Sequence, residues 1–433
     1  MAPNPTIMQA VEQLGYRVTV GDVAAQAGLN VDLTQQGLLA LASDAGGHLQ
    51  VAESGEMVYL FPKNFRTILR NKFLRLQLQE WWQKVWRVLF YLIRISFGII
   101  LLLSIALVFI TIFIILTASN KDSDYRSNRR GSGGGMVYMP YFWIGPNWFQ
   151  IFSPDYNRRY QQRRQEAREL NFFEAIFSFL FGDGNPNADL EERRFSIIAS
   201  VIRNNGGAVV AEQIAPYLDE IGEGYTREYE DYMLPVLSRF NGQPVVSPEG
   251  QIVYHFPDLQ VTASKRRSRS IPDYLEELKY RFSAATSGQI MLSAGLGVLN
   301  FVGVLILGNL LADGTVAAEL GGIVAFVQGI FLLLLGYAMA FLGVPLVRYF
   351  WIQWRNRKIS DRNQKRQARA RQVANADAAL QQKIAYADQF AAETVIEQQD
   401  LIYTTETDLI DQEAERSAQI DAEWQRRLRQ SGS

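Results

Sequence analysis

Three stretches of this chain stay apolar on every helical face: Ile95–Leu116, Ile290–Leu311 and Gly321–Val347. None contains Asp, Glu, Lys or Arg. At about 1.5 Å of rise per residue, each is long enough to cross a hydrocarbon core roughly 30 Å thick. An amphipathic helix of a soluble domain keeps a polar stripe, and these do not. The pattern predicts a mainly α membrane protein, with one transmembrane helix over residues 95–118 and a transmembrane hairpin over 289–347.

Outside these stretches the pattern changes to short amphipathic helices and alternating strands, and it does so twice. Val11–Phe65 and Val201–Leu259 read alike. Each gives a helix, a glycine turn, a short β-type triplet, two further helices and a two-stranded wing. The triplets are Val18-Thr19-Val20 and Ala208-Val209-Val210. The wings match best, VYLFP at 58–62 against VYHFP at 253–257, and Gly55 and Gly250 each precede the wing proline by seven residues. Glycines so placed fit hairpin turns. Thr19 and Asp22 open a short helix, and Ala24-Ala25-Gln26-Ala27-Gly28 has the small residues of a helix-turn-helix turn. The expectation is two winged-helix-like α+β domains, over 1–65 and 190–262. Tyr59 and Phe61, like Tyr254 and Phe256, stand two apart and share an inner face, so Leu60 and His255 point outward as protein-docking positions.

A basic stretch follows each wing, at 66–94 and 263–288. In the first, Trp81, Trp82 and Trp86 stand among Arg87, Arg94 and other cations, the composition of a membrane interface. A snorkelling flank is the plainer reading of such a stretch, and a specific lipid site the sharper one. The hairpin loop at 312–320 carries Asp313 and Glu319 but no cation, while both outer flanks are basic. The positive-inside rule then puts the loop outside, and both winged domains and the C-terminus on the cytoplasmic side. One crossing at 95–116 would leave the second domain on the side opposite to its basic flank unless the linker 119–189 returns the chain, and the sequence leaves that crossing open. The linker's apolar segments are Met136–Phe152 and Leu170–Phe181, both interfacial or re-entrant in character. Gly322, Gly329, Gly336 and Gly343 recur every seven residues and predict close helix packing. Residues 348–433 read as a charged, coiled-coil-like helix, with Val395, Ile402 and Leu409 seven apart. Such a seam pairs with itself in a homo-oligomer, folds back, or meets a partner.

Composition narrows the chemistry. The absence of cysteine excludes disulfides, thiolate nucleophiles and cysteine-ligated zinc or iron–sulfur sites. His48 and His255 are far apart in sequence, which argues against a histidine metal site. The first residues have no basic and apolar run of a secretory signal. Gly182-Asp183-Gly184-Asn185-Pro186-Asn187 spaces its polar residues like the start of an EF-hand, but Ala188 and Arg194 stand where Gly and Glu are required. A turn capping the helix near Leu190 is the expectation there. Gly131–Gly135 lacks the Lys-Ser/Thr of a phosphate loop and reads as a linker. The helices that would read DNA, near Val31–Ala45 and Thr226–Phe240, are poor in cations, and the first has none. No catalytic constellation and no cofactor site are expected.

The run FSFLFGDGNPNADLEERRF, with NNGGAVVAEQIAPYL, LPVLSRFNGQP and GQIVYHFPDLQ, resembles a cyanobacterial family shared with plant chloroplasts. Its plastid members are envelope membrane proteins loosely labelled an iron–sulfur cluster biosynthesis family. The likeness covers roughly Phe177–Val261 and implies a cyanobacterial thylakoid or plasma membrane, or a plastid envelope. Direct cluster ligation does not fit a chain without cysteine. The function expected is a non-enzymatic, membrane-anchored scaffold or assembly factor that docks membrane-associated proteins. A membrane-tethered nucleic-acid regulator and a small-solute transporter are the competing classes. Nucleic acid is the less expected partner, and the lipid bilayer a certain one if the spans insert.

Overall fold

The structure, a computed structural model, describes residues 4–72, 74–124, 170–219, 221–222, 229–265, 270–312 and 314–414, with a few positions beyond. The chain divides into two compact units. Unit 1 comprises Met1–Val85, Asn185–Lys279 and Arg355–Ser433, and unit 2 comprises Trp86–Gly184 and Tyr280–Trp354.

Unit 1 contains the repeat. Its first copy opens with α1 (Pro5–Gln13), whose N-cap Asn4 accepts from the Thr6 amide. Strand β1 (Arg17–Thr19) leads into α2 (Val20–Ala27) through a capping box, in which Thr19 and Asp22 satisfy each other's amides. Gly28 ends α2 at φ 64°, in the left-handed region, and a Cβ there would lie 2.7 Å from the Glu192 carbonyl of the second copy. Then come α3 (Val31–Ala45) and a hairpin of β2 (His48–Ala52) and β3 (Met57–Leu60), turning at Gly55. Tyr59 and Phe61 are buried, as their spacing predicts.

Two helices follow, α4 (Phe65–Lys72) and the long α5 (Leu74–Asp124), and after them α6 (Phe172–Phe181). The second copy then repeats the order. It comprises α7 (Leu190–Asn204), β4 (Ala208–Val209), α8 (Ala211–Ile214), α9 (Leu234–Phe240), and the hairpin of β5 (Gln243–Val246) and β6 (Ile252–His255). A short α10 (Pro257–Gln260) and β7 (Val261–Thr262) complete it. Of the helix expected near Thr226–Phe240, the described part is a 3-10 turn at Asp231–Met233 running into α9, and residues 223–228 lie outside the described set. In both copies the last hairpin strand lies in the middle of an antiparallel sheet, β3 between β1 and β2, and β6 between β4 and β5. The copies share one core: Ala24, Ala25 and Val31 of the first pack among Phe195, Ile198 and Ile202 of the second.

Unit 2 is helical. Besides most of α5 and all of α6 it holds α11 (Ser287–Leu310), α12 (Thr315–Leu320), α13 (Gly322–Gly329) and the first part of α14 (Phe331–Ala374). Helices α5, α11 and α14 are long and apolar enough to cross a membrane. Val108, Val304, Leu307, Val327 and Leu334 form one core cluster, and Leu101, Ile176, Phe179, Leu296 and Phe341 another. The segment Met136–Phe152, the linker at 131–135 and the arginines at 158–168 lie outside the described residues.

The expected glycine seam is not the packing seam. A Cβ at Gly322, Gly329, Gly336 or Gly343 would meet nothing within 4 Å. The buried line is Val327, Leu334 and Phe341, two residues earlier in the same seven-residue rhythm. Two residues are about 200° of helical rotation, so the glycines face away from the bundle. Close approach falls instead on α11, where a Cβ at Gly297 would lie 2.6 Å from the Phe341 ring and one at Gly308 2.6 Å from the Phe331 ring.

The coiled-coil reading of 348–433 is also corrected. Helix α14 stops at Ala374, and α15 (Ala378–Ala387) starts anew on the Asp377 cap. Two strands follow: β8 (Thr394–Val395), parallel to β7, and β9 (Leu401–Thr404), antiparallel to the edge strand β2. The segment is rich in β-branched and aromatic side chains (Thr394, Val395, Ile396, Ile402, Tyr403, Thr404), and an open sheet edge offers them a ladder. Ile396 is buried with Ala52, Val58, Val261 and Ala263, an anchor no solvated helix would have.

From this packing, Gly297→Leu should destabilise the bundle by about 1–3 kcal/mol through overpacking against Phe341, whereas Gly329→Leu should be neutral. Thermal midpoints of the two variants in detergent check this, and equal effects would contradict the assigned seam.

Candidate functional site

The side chains singled out at the membrane flank divide into two kinds. Trp81, Trp82 and Trp86 are 59%, 55% and 51% exposed on α5 ahead of its apolar stretch, and Arg87 is exposed beside them. Arg94 is instead committed. Its Nη2 donates to Asp183 Oδ1 at 2.9 Å, and its guanidinium carbon lies 5.6 Å from the Phe177 ring centroid.

Asp183 is the centre of a polar knot in unit 2. Helix α6 is almost wholly apolar, with Glu174 folding back to accept the Asn171 amide at 3.0 Å. Its C-terminal carbonyls need donors. Arg348 of α14 supplies them, donating to Phe179 O at 2.8 Å and Ser178 O at 3.2 Å while lying 4.4 Å from the Phe282 ring centroid. A cation at a helix C-terminus is also favoured by the helix dipole. Gly182 has φ 79°, and a Cβ there would meet the Arg348 guanidinium at 2.2 Å. Asp183 Oδ2 accepts from Ser178 Oγ at 2.6 Å and from the Ala284 amide at 2.7 Å. The knot joins α5 just ahead of its apolar stretch, the end of α6, the approach to α11 and α14. Phe173 lies against Gly98, and Phe181 is 4.9 Å from Phe97, so α6 stands beside the beginning of the apolar stretch of α5. The ten residues of α6 rise about 15 Å, too short to cross a hydrocarbon core.

The sequence marked this loop but assigned it the wrong task. Helix α7 does begin at Leu190, yet no side-chain hydrogen bond caps it. In unit 1, Asn187 instead holds the backbone of Leu278 from both sides, at 2.7 and 2.8 Å. Arg194, at the failed EF-hand position, pairs with Asp219. Among the described residues no group of three or more His, Asp or Glu stands together to hold a metal.

The outward positions of the wings are not open docking points. Leu60 is half-buried and pairs across the sheet with Arg17 and His48. His255 has Nε2 3.0 Å from Gln260 Oε1 and its ring 6.1 Å from Phe390, so the chain's own C-terminal segment covers it. Helix α15 lies on the outer face of that sheet, with Ala387 buried on Val210 and Val253. Lys383 fastens it, donating to Glu230 at 2.6 Å and Glu212 at 2.9 Å. Tyr254 donates to Glu230 at 2.8 Å. Burial, then the bond to Glu230, pushes the Tyr254 hydroxyl far above the ordinary phenol range.

The outward face of α3 remains open. Leu33 is 65% and Leu39 41% exposed, with Gln36, Ala40 and Ser43 exposed between and beyond them. The start of α3 is fastened to the second copy. Asn30 Nδ2 donates to Ser238 O at 2.9 Å, Asn241 Nδ2 to Asp32 Oδ1 at 3.1 Å, and Arg239 Nε to Gly28 O at 2.7 Å. The Arg239 guanidinium lies 3.9 Å from the Phe195 ring centroid, and burial lowers its pKa. A cleft of about 390 Å³ runs along the seam of the copies, lined by Gln9, Gln13, Gln26 and Ser196 together with the charged Glu192 and Arg193 and by apolar side chains.

The last part of α14 is held to unit 1 by ions. Arg366, 1% exposed, pairs with Asp219 and donates to Leu275 O at 2.9 Å, while Arg362 pairs with Glu277 at 2.6 Å. Burial alone would raise the Asp219 carboxyl, but Arg366 and Arg194 outweigh it and hold the group below the ordinary carboxylate range.

Two predictions follow from these ion clusters. Asp183→Ala strands Arg94 and two donors and should cost about 2–3 kcal/mol, read as a lowered thermal midpoint in detergent. The depressed Asp219 pKa contributes stability that is present above the ordinary carboxylate value and is lost as pH falls through the still lower folded value. Hydrogen-exchange protection of 355–374 should therefore fall only in strongly acid buffer, and Asp219→Asn should lower it already at neutral pH.

No protein-family model matches the chain, and no solved structure matches it. One curated relative is similar along nearly its whole length: the uncharacterized chloroplastic protein At5g03900 of Arabidopsis thaliana. The two are 38% identical over 436 aligned positions, covering 98% of this chain and 82% of the relative. The plastid relationship expected from the FGDGNPN and VYHFP motifs stands, while that relative's name carries no iron–sulfur label. The aligned region takes in 98% of the chain, and the chain belongs to the family of this chloroplastic protein.

Proposed function

We propose that the chain is an integral membrane protein of a cyanobacterial or plastid membrane and that unit 1 is a docking platform for another membrane-associated protein. In this reading α5, α11 and α14 cross the bilayer. The two copies are winged-helix-like modules, following the order helix, short strand, two helices and hairpin. The work is assembly or scaffolding, and no step of it is catalytic.

The observation that carries this reading is the face of α3. In a DNA-binding winged helix the second helix of the turn enters the groove, leading with its N-terminal residues. Here that end is tied to Ser238, Asn241 and Arg239 of the second copy. The face itself carries no Lys or Arg to neutralise phosphate and has Asp32 at its leading edge. Exposed leucines among small polar residues fit a protein surface instead. The outer face of the second copy's sheet and the β2 edge of the first are taken by α15 and β9 of the same chain.

A photo-crosslinking residue at position 33 or 39, in the full chain in its native membrane, should give a discrete adduct with a membrane-associated protein. Leu33→Asp, read through the crosslinker at 39, should reduce that adduct at least tenfold, while a crosslinker at exposed position 53 gives none. The purified chain should bind no duplex DNA at physiological salt. Sequence-specific DNA binding at about the tens-of-nanomolar level would replace this reading with the nucleic-acid regulator.

A further inference from the structure

The side of unit 2 on which α5 begins carries more positive charge than its own carboxylates can answer. Four arginines belong to it: Arg87 and Arg94 on α5, Arg281 ahead of α11, and Arg348 on α14. The contacts of the Asp183 knot bring α5, the approach to α11 and α14 to one level. Tyr280 and Trp351, 5.7 Å apart between ring centroids, extend that level outward by about a turn. Among the described residues of the unit, Asp183 is the carboxylate at this level, and Arg94 takes it. Glu174 lies at the opposite end of α6, turned onto the Asn171 amide.

The four cations are not equivalent. Arg94 and Arg348 are compensated inside the protein, by Asp183 and by the α6 carbonyls. Between Arg87 and Arg94, helix α5 exposes Val88, Leu89 and Leu92. Apolar side chains so exposed put hydrocarbon up to the level of Arg87 and leave the Asp183 knot below the headgroups. The exposed rings Trp86, Trp351 and Trp354 mark the same boundary. Arg87 and Arg281 are exposed there, where lipid phosphates lie.

We propose that this rim, through Arg87 and Arg281, binds the anionic headgroups of membrane lipids and selects them over zwitterionic ones. The inference rests on the membrane-spanning reading above. A guanidinium fits a phosphate or sulfonate oxygen pair through two parallel N–H bonds, which a choline headgroup masks with its own cation. Each cation close to an anionic surface contributes about a fivefold preference, and salt screens it.

The test uses the full chain, purified from a detergent-solubilised mixture of phosphatidylcholine and phosphatidylglycerol, with the retained lipid quantified. Phosphatidylglycerol should be enriched roughly fivefold per arginine at low salt. The double variant Arg87→Gln/Arg281→Gln should lose the enrichment while keeping its thermal midpoint in pure phosphatidylcholine nanodiscs. Inorganic phosphate added to those nanodiscs should leave the wild-type midpoint unchanged, and stabilisation by it would assign the arginines to a soluble anion instead. Equal enrichment in wild type and variant, or none in either, overturns the proposal. Carbonate extraction of native membranes separates the two readings: a chain that washes off sinks the membrane-spanning reading, and one that stays embedded without lipid preference sinks this inference alone.

Discussion

Asp22 is the residue on which the arrangement of unit 1 depends. It is fully buried, yet it is a carboxylate. A charge in that position is tolerable only if its oxygens are filled. They are: Oδ2 accepts the Thr19 and Ala263 amides at 3.1 and 3.0 Å, and Oδ1 accepts Arg203 at 2.7 Å and the Thr262 hydroxyl at 3.0 Å. These donors come from the turn before α2, from α7 of the second copy, and from β7 and the residue after it. The capping box itself closes within the first copy, but the buried charge of Asp22 is fully compensated only when Arg203 of the second copy, Thr262 and Ala263 are in place. Apolar contact between Ala24, Val31 and Ile198 would tolerate sliding, whereas a buried carboxylate with four fixed donors does not. The seam is therefore specified by one charge and stabilised by the surrounding core.

The same device recurs in unit 2 under different constraints. Asp183 gathers Arg94, Ser178 and the Ala284 amide where backbone groups at a helix end lack partners. In a bundle of apolar helices, packing alone leaves helix register poorly fixed, because leucine against lipid and leucine against leucine differ little. A compensated polar knot sets the level of α5, α6 and α14 instead. Deeper in the bundle, Ser104 donates to Asn300 Oδ1 at 3.0 Å and links α5 to α11 in the same manner.

How much of this was legible depends on whether the signal was local. The three apolar stretches, the capping box at Thr19 and Asp22, the turn glycines Gly55 and Gly250, and the buried Tyr–Phe pairs were readable because each is decided within a few residues. The glycine line on α13 and α14 was misleading: its rhythm is real, but Val327, Leu334 and Phe341 share that rhythm, and volume placed them inside. The seven-residue pattern around Val395 and Ile402 misled for a different reason. Apolar residues seven apart suit a coiled-coil seam, but β8 and β9 also need such residues, and only the distant β2 and β7 edges decide between them. Arg94, Asp183 and Arg348 were visible one by one as flank or loop residues. Their union was not, because they are far apart in the chain.

The course of the C-terminal segment limits where a partner can sit. From α14 it passes over the sheet of the second copy as α15, runs beside β7 as β8, and adds β9 to the edge of the first copy's sheet. Main-chain bonds mark the path, including Ala392 N to Gly206 O at 2.9 Å, Ile396 N to Thr262 O at 3.0 Å and Glu53 N to Asp400 O at 2.9 Å. An open sheet edge invites pairing with any extended chain. Strand β9 closes that of β2, and Gln412 in turn satisfies both backbone groups of Thr404, donating at 2.7 Å and accepting at 3.0 Å. Unit 1 thus blunts its own sheet edges, while the outward face of α3 keeps Leu33 and Leu39 exposed. Under the docking function proposed above, a partner on that face would meet a surface whose geometry is fixed before binding, so its affinity would not be spent on ordering the site.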